Sequence, residues 1–239
     1  MRKGPLLYEG KAKRLFETEQ PDTLWVQYKD DLTAFNGQKK ERQQGKGRLN
    51  NEISSLLFHQ LSAIGLPNHF IKRISETEQL VKKTTIIPIE VVVRNIAAGS
   101  LAKRLGLDEG AKLNQTIVEY YYKDDELGDP LINEDHINLL ELVTKGELAS
   151  MKGMALGINQ KLIDHFQACD VILVDFKLEF GFDQEGEIIL SDEISPDTCR
   201  LWDAKTHERL DKDVFRQGIG HVEKAYETIL NRLTANTVK

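Results

Sequence analysis

Apolar and charged residues alternate along LVDFKLEFGF, residues 173–182. On a strand, successive side chains point to opposite faces, so this stretch predicts one apolar face and one charged face. The apolar face would consist of Phe176, Leu178, Phe180 and Phe182. The other face would consist of Asp175, Lys177, Glu179 and Gly181. An edge strand with one face in solvent is the commoner cause of such a pattern, and a sheet face that lines a ligand cleft is the alternative.

Similar patterns predict mostly strands in the first third of the chain and a mixture of helices and strands after it. The predicted strands are 6–8, 12–17, 23–28, 70–74, 79–82, 86–94, 117–123, 171–182 and 187–192. Apolar residues at helical spacing predict helices over 53–64, 101–105, 136–143, 148–166 and 212–233. The polar residues 183–186 predict a hairpin turn between the last two strands. Together these elements are typical of an α+β fold with mostly antiparallel sheet.

Residues 30–48 are polar and rich in Gly, Lys and Gln, which predicts a long mobile loop. A long loop inside a compact domain is often a lid over a functional site, and a solvated disordered turn is the equal alternative. The loop carries five basic residues: Lys39, Lys40, Arg42, Lys46 and Arg48.

The composition is that of an ordinary globular protein of 239 residues, 40% hydrophobic and 29% charged. The net charge of −6 argues against nucleic acid as a partner, so an anionic ligand would need a local cluster of Lys and Arg. No stretch approaches the roughly 18 apolar residues of a membrane span, and residues 1–5 lack the apolar run of a signal peptide. Cys169 and Cys199 form no CxxC pair. These features predict a cytoplasmic protein with no membrane partner.

Several well-known motifs are absent from the sequence, namely the P-loop, the Rossmann glycine fingerprint, HExxH, GxSxG and the protein-kinase set. The six histidines are scattered, and none forms a metal-ligand pair by its spacing. The candidate chemistry therefore lies in charged residues on the predicted strands.

Two of these stretches could bind anions. In YEGKAKRLF, residues 8–16, Lys11 and Lys13 would share one face of a strand and could meet one polyphosphate, or could simply be solvated. In PIEVVVRNIAAGSLAKR, residues 88–104, a buried strand ends in Arg94, and Ser100 opens a short helix. A helix start with small residues can bind an anion, although Ser100 could also be only an N-cap.

The predicted hairpin brings two acids towards each other across its turn. Glu179 and Asp192 would repel one another unless a cation lies between them. Magnesium is commonly bound by one or two carboxylates together with substrate phosphates. The hairpin is therefore a candidate platform for magnesium and a nucleotide, with Lys177 as a further phosphate contact, and a polar loop at 190–203 is the alternative.

Six stretches taken together resemble the SAICAR synthetase family, and they occur in family order from end to end of the chain. They are YEGKAKRLF (8–16), KGRLNNEIS (46–54), PIEVVVRNIAAGS (88–100), DPLINEDH (129–136), LVDFKLEFG (173–181) and LSDEISPDTCRLWD (190–203). The resemblance is to the short, single-function bacterial members. It implies a purine-biosynthesis ligase that uses ATP and Mg²⁺ to join carboxyaminoimidazole ribonucleotide (CAIR) to L-aspartate, giving SAICAR, ADP and phosphate.

The resemblance also implies an α+β fold of the SAICAR synthase type, related to ATP-grasp folds. We expect a small N-terminal antiparallel-sheet domain over 1–82 that includes the mobile loop 30–48. A larger α+β domain over 83–202 would bind nucleotide and substrate, and a C-terminal helical segment would cover 203–239. The family resemblance further implies a homodimer.

The residue roles that the resemblance implies fall into three groups. Nucleotide contacts would come from Lys11, Ala12, Lys13, Lys123, Glu179 and Asp192, of which Glu179 and Asp192 would also hold the metal. Substrate contacts would come from Arg94, Ser100 and Arg200 at the ribonucleotide phosphate, and from Asp129 in the cleft. Asp175 and Lys177 would be catalytic, at the reacting carboxylate. Asn36 stands where some members carry an acidic residue, and the residues that bind L-aspartate are left open.

The predicted chemistry is activation of a carboxylate by ATP. A carboxylate does not react with an amine at neutral pH, but an acyl phosphate does, and positioning and charge neutralisation are then the protein's share. Asp175 would orient Lys177 or the substrate amine. A small-molecule kinase with the same nucleotide platform and a non-catalytic nucleotide sensor are the alternatives.

Overall fold

The computed structural model describes residues 1–34, 37 and 39–237 of the chain. The strands are β1 (Lys3–Glu9), β2 (Lys13–Thr18), β3 (Thr23–Tyr28), β4 (Asp31–Ala34), β5 (Lys39–Arg42), β6 (Phe70–Arg73), β7 (Glu78–Lys82), β8 (Thr85–Ile96), β9 (Lys112–Tyr122), β10 (Leu131–Ile132), β11 (Val171–Phe182), β12 (Ile188–Ser191) and β13 (Cys199–Asp203). The helices are α1 (Lys46–Ala63), α2 (Gly99–Leu105), α3 (Glu134–Leu139), α4 (Lys145–Ala168), α5 (Asp213–Gln217) and α6 (Val222–Thr237). The predicted α+β class with antiparallel sheet is confirmed.

The first sheet has five strands in the order β1-β2-β3-β7-β6, with antiparallel pairing throughout. Val26, Tyr28 and Val81 form its own small buried cluster, against which Leu15 and Leu24 pack. Along β3 the buried Val26 and Tyr28 flank the more exposed Gln27, as expected for a sheet with one covered face.

The second sheet has six strands, and β11 lies in its interior. On one side β11 pairs with β8, and on the other it pairs first with β13 and then with β12. The interpretation of residues 173–182 as an edge strand is therefore wrong. With hydrogen-bonded neighbours on both sides, the backbone of β11 is held rigidly, and the direction of each of its side chains is fixed.

The apolar face of β11 anchors the main core. Phe176, Leu178 and Phe180 are fully buried there, in one cluster with Met151 and Ile158 of α4. Removing such a side chain from water contributes about 1.5–3 kcal/mol. The helix that covers them starts at a capping box, in which Thr144 and Glu147 exchange side-chain-to-backbone hydrogen bonds. This packing commits one face of β11 to the core and leaves the charged face for the cleft.

The described residues of the stretch 30–48 do not form the predicted long loop. Strands β4 and β5 pair as a short antiparallel hairpin, and α1 begins at Lys46. The stretch is polar overall, but it contains two apolar residues, Leu32 and Ala34, that are buried and pack the hairpin against the core. Lys46 is also buried, because its ammonium group pairs with Asp197 at 2.7 Å. Asn36 lies outside the described residues.

The predicted helix over 212–233 is two helices. Gly218 adopts a left-handed backbone conformation, with φ of 68°, and ends α5 after Gln217. Ile219 belonged to the predicted apolar stripe but is 61% exposed, because it falls in the break. The stripe resumes in α6, where Tyr226 is fully buried.

Strand pairing changes from the first sheet to the second between the end of β7 and the start of β8. The proposed boundary between 1–82 and 83–202 would fall at this change. Helix α1 lies before the boundary, yet its Leu49, Ile53 and Phe58 belong to the main core cluster. None of the helices in the described part of the chain is long and apolar enough to cross a membrane.

Candidate active site

A cleft of about 760 Å³ lies between the two sheets, and residues of both sheets line it. All of the residues predicted for the site line this cleft: Lys11, Ala12, Lys13, Arg94, Ser100, Lys123, Asp129, Asp175, Lys177, Glu179, Asp192 and Arg200. The charged face of β11 forms its floor, since Asp175, Lys177 and Glu179 all point to it. The second interpretation of residues 173–182, a sheet face that lines a cleft, is the one that the structure supports.

The hairpin of β11 and β12 brings Glu179 and Asp192 together at one end of the cleft. Glu179 pairs in register with Ser191 of β12, and Asp192 is the residue that follows Ser191 in the chain. Lysines separate the two acids: Lys177 lies 2.5 Å from Glu179, Lys123 also binds Glu179, and Lys13 binds Asp192. Asp192 has a left-handed backbone, with φ of 60°, a conformation that is uncommon for residues other than glycine but that Asp adopts more readily than most.

The charges of Lys177 and Asp192 are fixed over the physiological pH range. Burial alone would lower the pKa of Lys177, but Glu179, Asp192 and Glu90 outweigh it and raise that pKa. Burial would raise the pKa of Asp192, but Lys13, Lys177 and Lys123 hold it well below its ordinary range. These side chains are therefore suited to neutralise and position a charged ligand, and are not suited to exchange protons with it.

Lys11 and Lys13 reach the cleft in different ways, and the prediction that they share one strand face is wrong. Lys13 opens β2, whereas Lys11 lies in the bend between β1 and β2. The turn arises because the N–H of Gly10 donates to the carbonyl of Lys13 at 2.8 Å. Lys11 then extends to the exposed Asp125, with 2.7 Å between the ammonium and the carboxylate.

Two arginines meet at Asp175, four residues along β11 from Glu179. Arg94 of β8 and Arg200 of β13 lie 2.8 and 2.9 Å from its Oδ2 atom. Of the two roles predicted for Asp175, orienting Lys177 is wrong, because the two arginines bind this carboxylate while Lys177 binds Glu90 and Glu179. Orienting the substrate amine stays a prediction. The backbone register explains the grouping, since Asp175 pairs directly with Arg94 and Arg200 on the two neighbouring strands.

Ser100 and Gly99 complete the arginine group. The hydroxyl of Ser100 accepts a hydrogen bond from Nη2 of Arg94 at 3.0 Å. The interpretation of Ser100 as the N-cap of α2 is wrong, because Ala98 occupies that position. A side chain at residue 99 would place its Cβ 2.4 Å from the guanidinium of Arg200, so only glycine allows the approach.

Asp129 lines the cleft from a turn rather than from a strand. Its Oδ1 atom accepts a hydrogen bond from the backbone N–H of Asp124 at 3.0 Å, and its own backbone is left-handed, with φ of 51°. These bonds shape the turn that follows Lys123, whose ammonium group reaches Glu179.

One wall of the cleft is apolar. The first sheet contributes Leu15, Leu24, Val26 and Val81 to this wall, and β8 contributes Ile86. The flat, uncharged group of a ligand would be buried here, while its charged groups meet the lysines on the floor.

The sequence analysis assigned no role to several residues that line the cleft, including His69, Glu193, Lys212 and Arg216. Glu193 lies 3.0 Å from Lys13, but the sequence offered no sign that the two meet. The spacing of Lys212 and Arg216, four residues apart in a predicted helix, was a usable signal, because such residues share one face.

His69 lies where the two sheets join. Its backbone N–H donates to the carbonyl of Leu190 in β12, and its own carbonyl accepts from the backbone N–H of Lys82 in β7. The side chain packs against the ring of Phe58 at 5.2 Å between centroids, and its Nε2 atom has no partner in the described part of the chain. Burial lowers the pKa of His69 to about 4, and the charge of Lys13 acts in the same direction.

We expect His69 to make the fold sensitive to acid. Between the ordinary pKa of 6.5 and the folded value of about 4, the unfolded chain binds more protons, so the free energy of unfolding falls as the pH falls. The loss attributable to this group is about 3 kcal/mol at pH 4. Denaturant unfolding of a His69→Gln variant should show a correspondingly shallower pH dependence between pH 7 and pH 4. His59→Gln, at an exposed site on α1, is the control, and equal slopes for the two variants would refute the assignment.

Comparison with known proteins identifies close relatives over the whole chain. The sequence model of SAICAR synthetase matches residues 6–233. A phosphoribosylaminoimidazole-succinocarboxamide synthase of Bacillus cereus strain G9842 is 61% identical over 233 residues, which cover 98% of each chain. The crystal structure of the enzyme of that name from Ehrlichia chaffeensis has a TM-score of 0.95 at 46% identity, covering 97% of this chain and 99% of the other. A type-2 SAICAR synthetase in complex with ADP has a TM-score of 0.93 at 49% identity, covering 95% and 97%.

Proposed function

Because the chain belongs to the SAICAR synthetase family, we propose that it is the ATP-dependent ligase of purine biosynthesis that joins CAIR to L-aspartate. The products are SAICAR, ADP and phosphate. The observation that carries the proposal is the arrangement of charges along β11. A lysine–carboxylate group surrounds Glu179, an arginine group surrounds Asp175, and Lys177 stands midway between them. Four residues of strand separate the two groups by about 13 Å, so two phosphorylated reactants could bind at once with their reacting ends near Lys177.

ATP would bind across the lysine–carboxylate end. A relative with 49% identity has been solved in complex with ADP, which supports nucleotide binding in this cleft. The apolar wall suits the purine ring, and four lysines suit the phosphates: Lys11, Lys13, Lys123 and Lys177. The backbone of Ala12, between the first two lysines, would lie beside the same phosphates.

Mg²⁺ would be held by Glu179 and Asp192 together with oxygens of the nucleotide. In the described part of the chain no group of three or more His, Cys, Asp or Glu side chains is placed to hold a metal by itself. Two hard carboxylate donors beside a phosphate site nevertheless fit a Mg²⁺ ion, which usually keeps only one or two protein carboxylates. When bound, the ion would neutralise phosphate charge and align the triphosphate for transfer.

The phosphate of CAIR would bind at the arginine end. Arg94 and Arg200 offer guanidinium groups held in place by Asp175, and Ser100 offers a hydroxyl beside them. Planar guanidinium groups bind phosphate through paired, charge-assisted hydrogen bonds. Asp129 would contact the substrate from the side of the cleft that carries Lys123.

The reaction would pass through an acyl phosphate. Transfer of the γ-phosphoryl group to the CAIR carboxylate would release ADP, and attack by the amine of L-aspartate would then form the amide and release phosphate. Lys177, permanently charged and midway along β11, would stabilise the negative charge on the transferring group. Asp175 would act by holding the two arginines, and thereby CAIR, in register with the triphosphate.

A single assay tests this function. Purified protein is mixed with ATP, Mg²⁺ and CAIR, with and without L-aspartate, and ADP release is followed. We expect sustained ADP release only when L-aspartate is present. Equal release in its absence would indicate a kinase or an ATPase, and no release in either mixture would favour a nucleotide-binding protein without catalysis.

The protein is further proposed to act as a homodimer in the cytoplasm. Residues 127–140 expose four leucines to solvent, Leu127, Leu131, Leu139 and Leu140, and an apolar surface of this kind is often a protein interface. Cys169 and Cys199 are free thiols, which suits a reducing compartment. Light scattering during size-exclusion chromatography should give twice the mass of one chain. A single-chain mass at micromolar concentration would refute the dimer.

A further inference from the structure

The cleft contains more positive side chains than ATP and CAIR would use. Nine Lys and Arg residues line it, and three of them have no part in the binding proposed above: Lys82, Lys212 and Arg216. Lys82 is exposed at the end of β7, on the first sheet. Lys212 and Arg216 lie at the opposite wall, at the start of α5 and within it. These two form a separate positive site, next to the arginine end of the cleft.

Lys212 and Arg216 are one helical turn apart. The backbone N–H of Arg216 donates to the carbonyl of Lys212 at 3.1 Å, and residues so related share one face of a helix. The backbone N–H of Lys212 donates to Pro196 at 3.1 Å, which ties the start of α5 to the loop before β13. Both side chains are therefore presented to the cleft from a fixed backbone.

The ammonium group of Lys212 makes no direct ion pair with any residue that the structure describes. Seven of the nine cleft cations pair with a carboxylate, whereas Lys82 and Lys212 form no side-chain hydrogen bond or ion pair within the described residues. Unlike Lys82, Lys212 is half-buried. Burial lowers the pKa of Lys212, with Asp197 opposing this effect and Lys46 and Arg216 adding to it. A half-buried cation that makes no direct ion pair is stabilised by an anion that binds beside it.

We propose that Lys212 and Arg216 bind the two carboxylates of L-aspartate. The inference rests on the proposed function, in which L-aspartate is the reactant with two carboxylates and no phosphate. Asp213 connects the proposed L-aspartate site to the CAIR site. One oxygen of the Asp213 carboxylate lies 2.5 Å from Arg216, and the other lies 2.8 Å from Arg200. An amino acid held at Lys212 and Arg216 would therefore lie next to the bound ribonucleotide, within reach of its activated carboxylate.

The test compares the KM values of all three substrates in Lys212→Met and Arg216→Gln. We expect the KM for L-aspartate to rise at least about tenfold in each variant, since one charge-assisted hydrogen bond is lost. The KM values for ATP and CAIR should stay within about twofold, and Lys212→Arg should recover part of the affinity for L-aspartate. Lys205→Met removes an exposed lysine outside the cleft and is the matched control. Thermal unfolding checks that each variant is folded.

Two outcomes would overturn the inference while leaving the proposed function intact. The first is an unchanged KM for L-aspartate in both folded variants. The second is a rise in the KM for CAIR as large as that for L-aspartate, which would assign these residues to the ribonucleotide. Failure of the proposed function is a different result, since the unmodified enzyme itself would then not require L-aspartate.

Discussion

The Asp192→Asn variant is expected to turn over at least about a hundredfold more slowly than the unmodified enzyme, with its fold intact. Asp192 is one of two carboxylates proposed to hold Mg²⁺, and loss of one preorganised group of this kind typically costs two to three orders of magnitude in kcat. The fold should survive because Lys13, which binds Asp192, lies 3.0 Å from Glu193 and keeps that partner. Steady-state kcat at saturating ATP, CAIR and L-aspartate is the measurement.

Glu179→Gln should behave in the same way. Its partner Lys177 keeps Glu90 at 2.8 Å, and its other partner, Lys123, has a side chain that is 42% exposed, so water can solvate that charge in the variant. Glu185→Gln, an exposed site in the turn of the same hairpin, is the matched control and should keep normal turnover. Near-normal rates in both active-site variants at limiting Mg²⁺ would refute the metal assignment.

The Arg200→Ala variant is expected to raise the KM for CAIR by about tenfold to a hundredfold and to leave the KM for ATP nearly unchanged. A charge-assisted hydrogen bond to phosphate is worth about 1.5–3 kcal/mol, which corresponds to this range. The substitution leaves no buried carboxylate unpaired, because Asp175 keeps its ion pair with Arg94 at 2.8 Å and Asp213 keeps its ion pair with Arg216 at 2.5 Å. The change in KM can therefore be attributed to the substrate.

Arg94→Ala should shift the same KM, but it is the less clean test. Arg94 is almost completely buried and also binds Glu119 at 2.6 Å, so its loss disturbs more of the protein. Arg48→Ala, outside the cleft, is the control for loss of a positive charge. A larger rise in the KM for ATP than for CAIR in Arg200→Ala would contradict the assigned pocket.

Local pattern was sufficient to place the central strand of the site. The alternation in residues 173–182 predicted that Asp175, Lys177 and Glu179 share a face, and the hairpin signal predicted Asp192 beside Glu179. Both follow from strand periodicity and a short turn, which act over a few residues. The opposite apolar face could be predicted for the same reason, since burial of Phe176, Leu178 and Phe180 leaves the strand only one orientation.

Features that depend on distant partners could not be predicted in this way. Lys46 lies in a polar stretch, and its burial is explained by distant partners: it pairs with Asp197, which also accepts a hydrogen bond from Tyr226, and it donates to the carbonyl of Asp31. The partners of Asp175 were misjudged because they come from two other strands. The break at Gly218 was missed because a glycine inside a helical pattern costs only about 1 kcal/mol and is often tolerated.

Mass spectrometry of the product tests the central claim most directly. The purified protein is incubated with ATP, Mg²⁺, CAIR and L-aspartate labelled with ¹⁵N. The proposed function predicts SAICAR that carries the label in its new amide, formed in equal amount to ADP. ADP formed together with a phosphorylated CAIR, or ADP with no labelled amide, would contradict it.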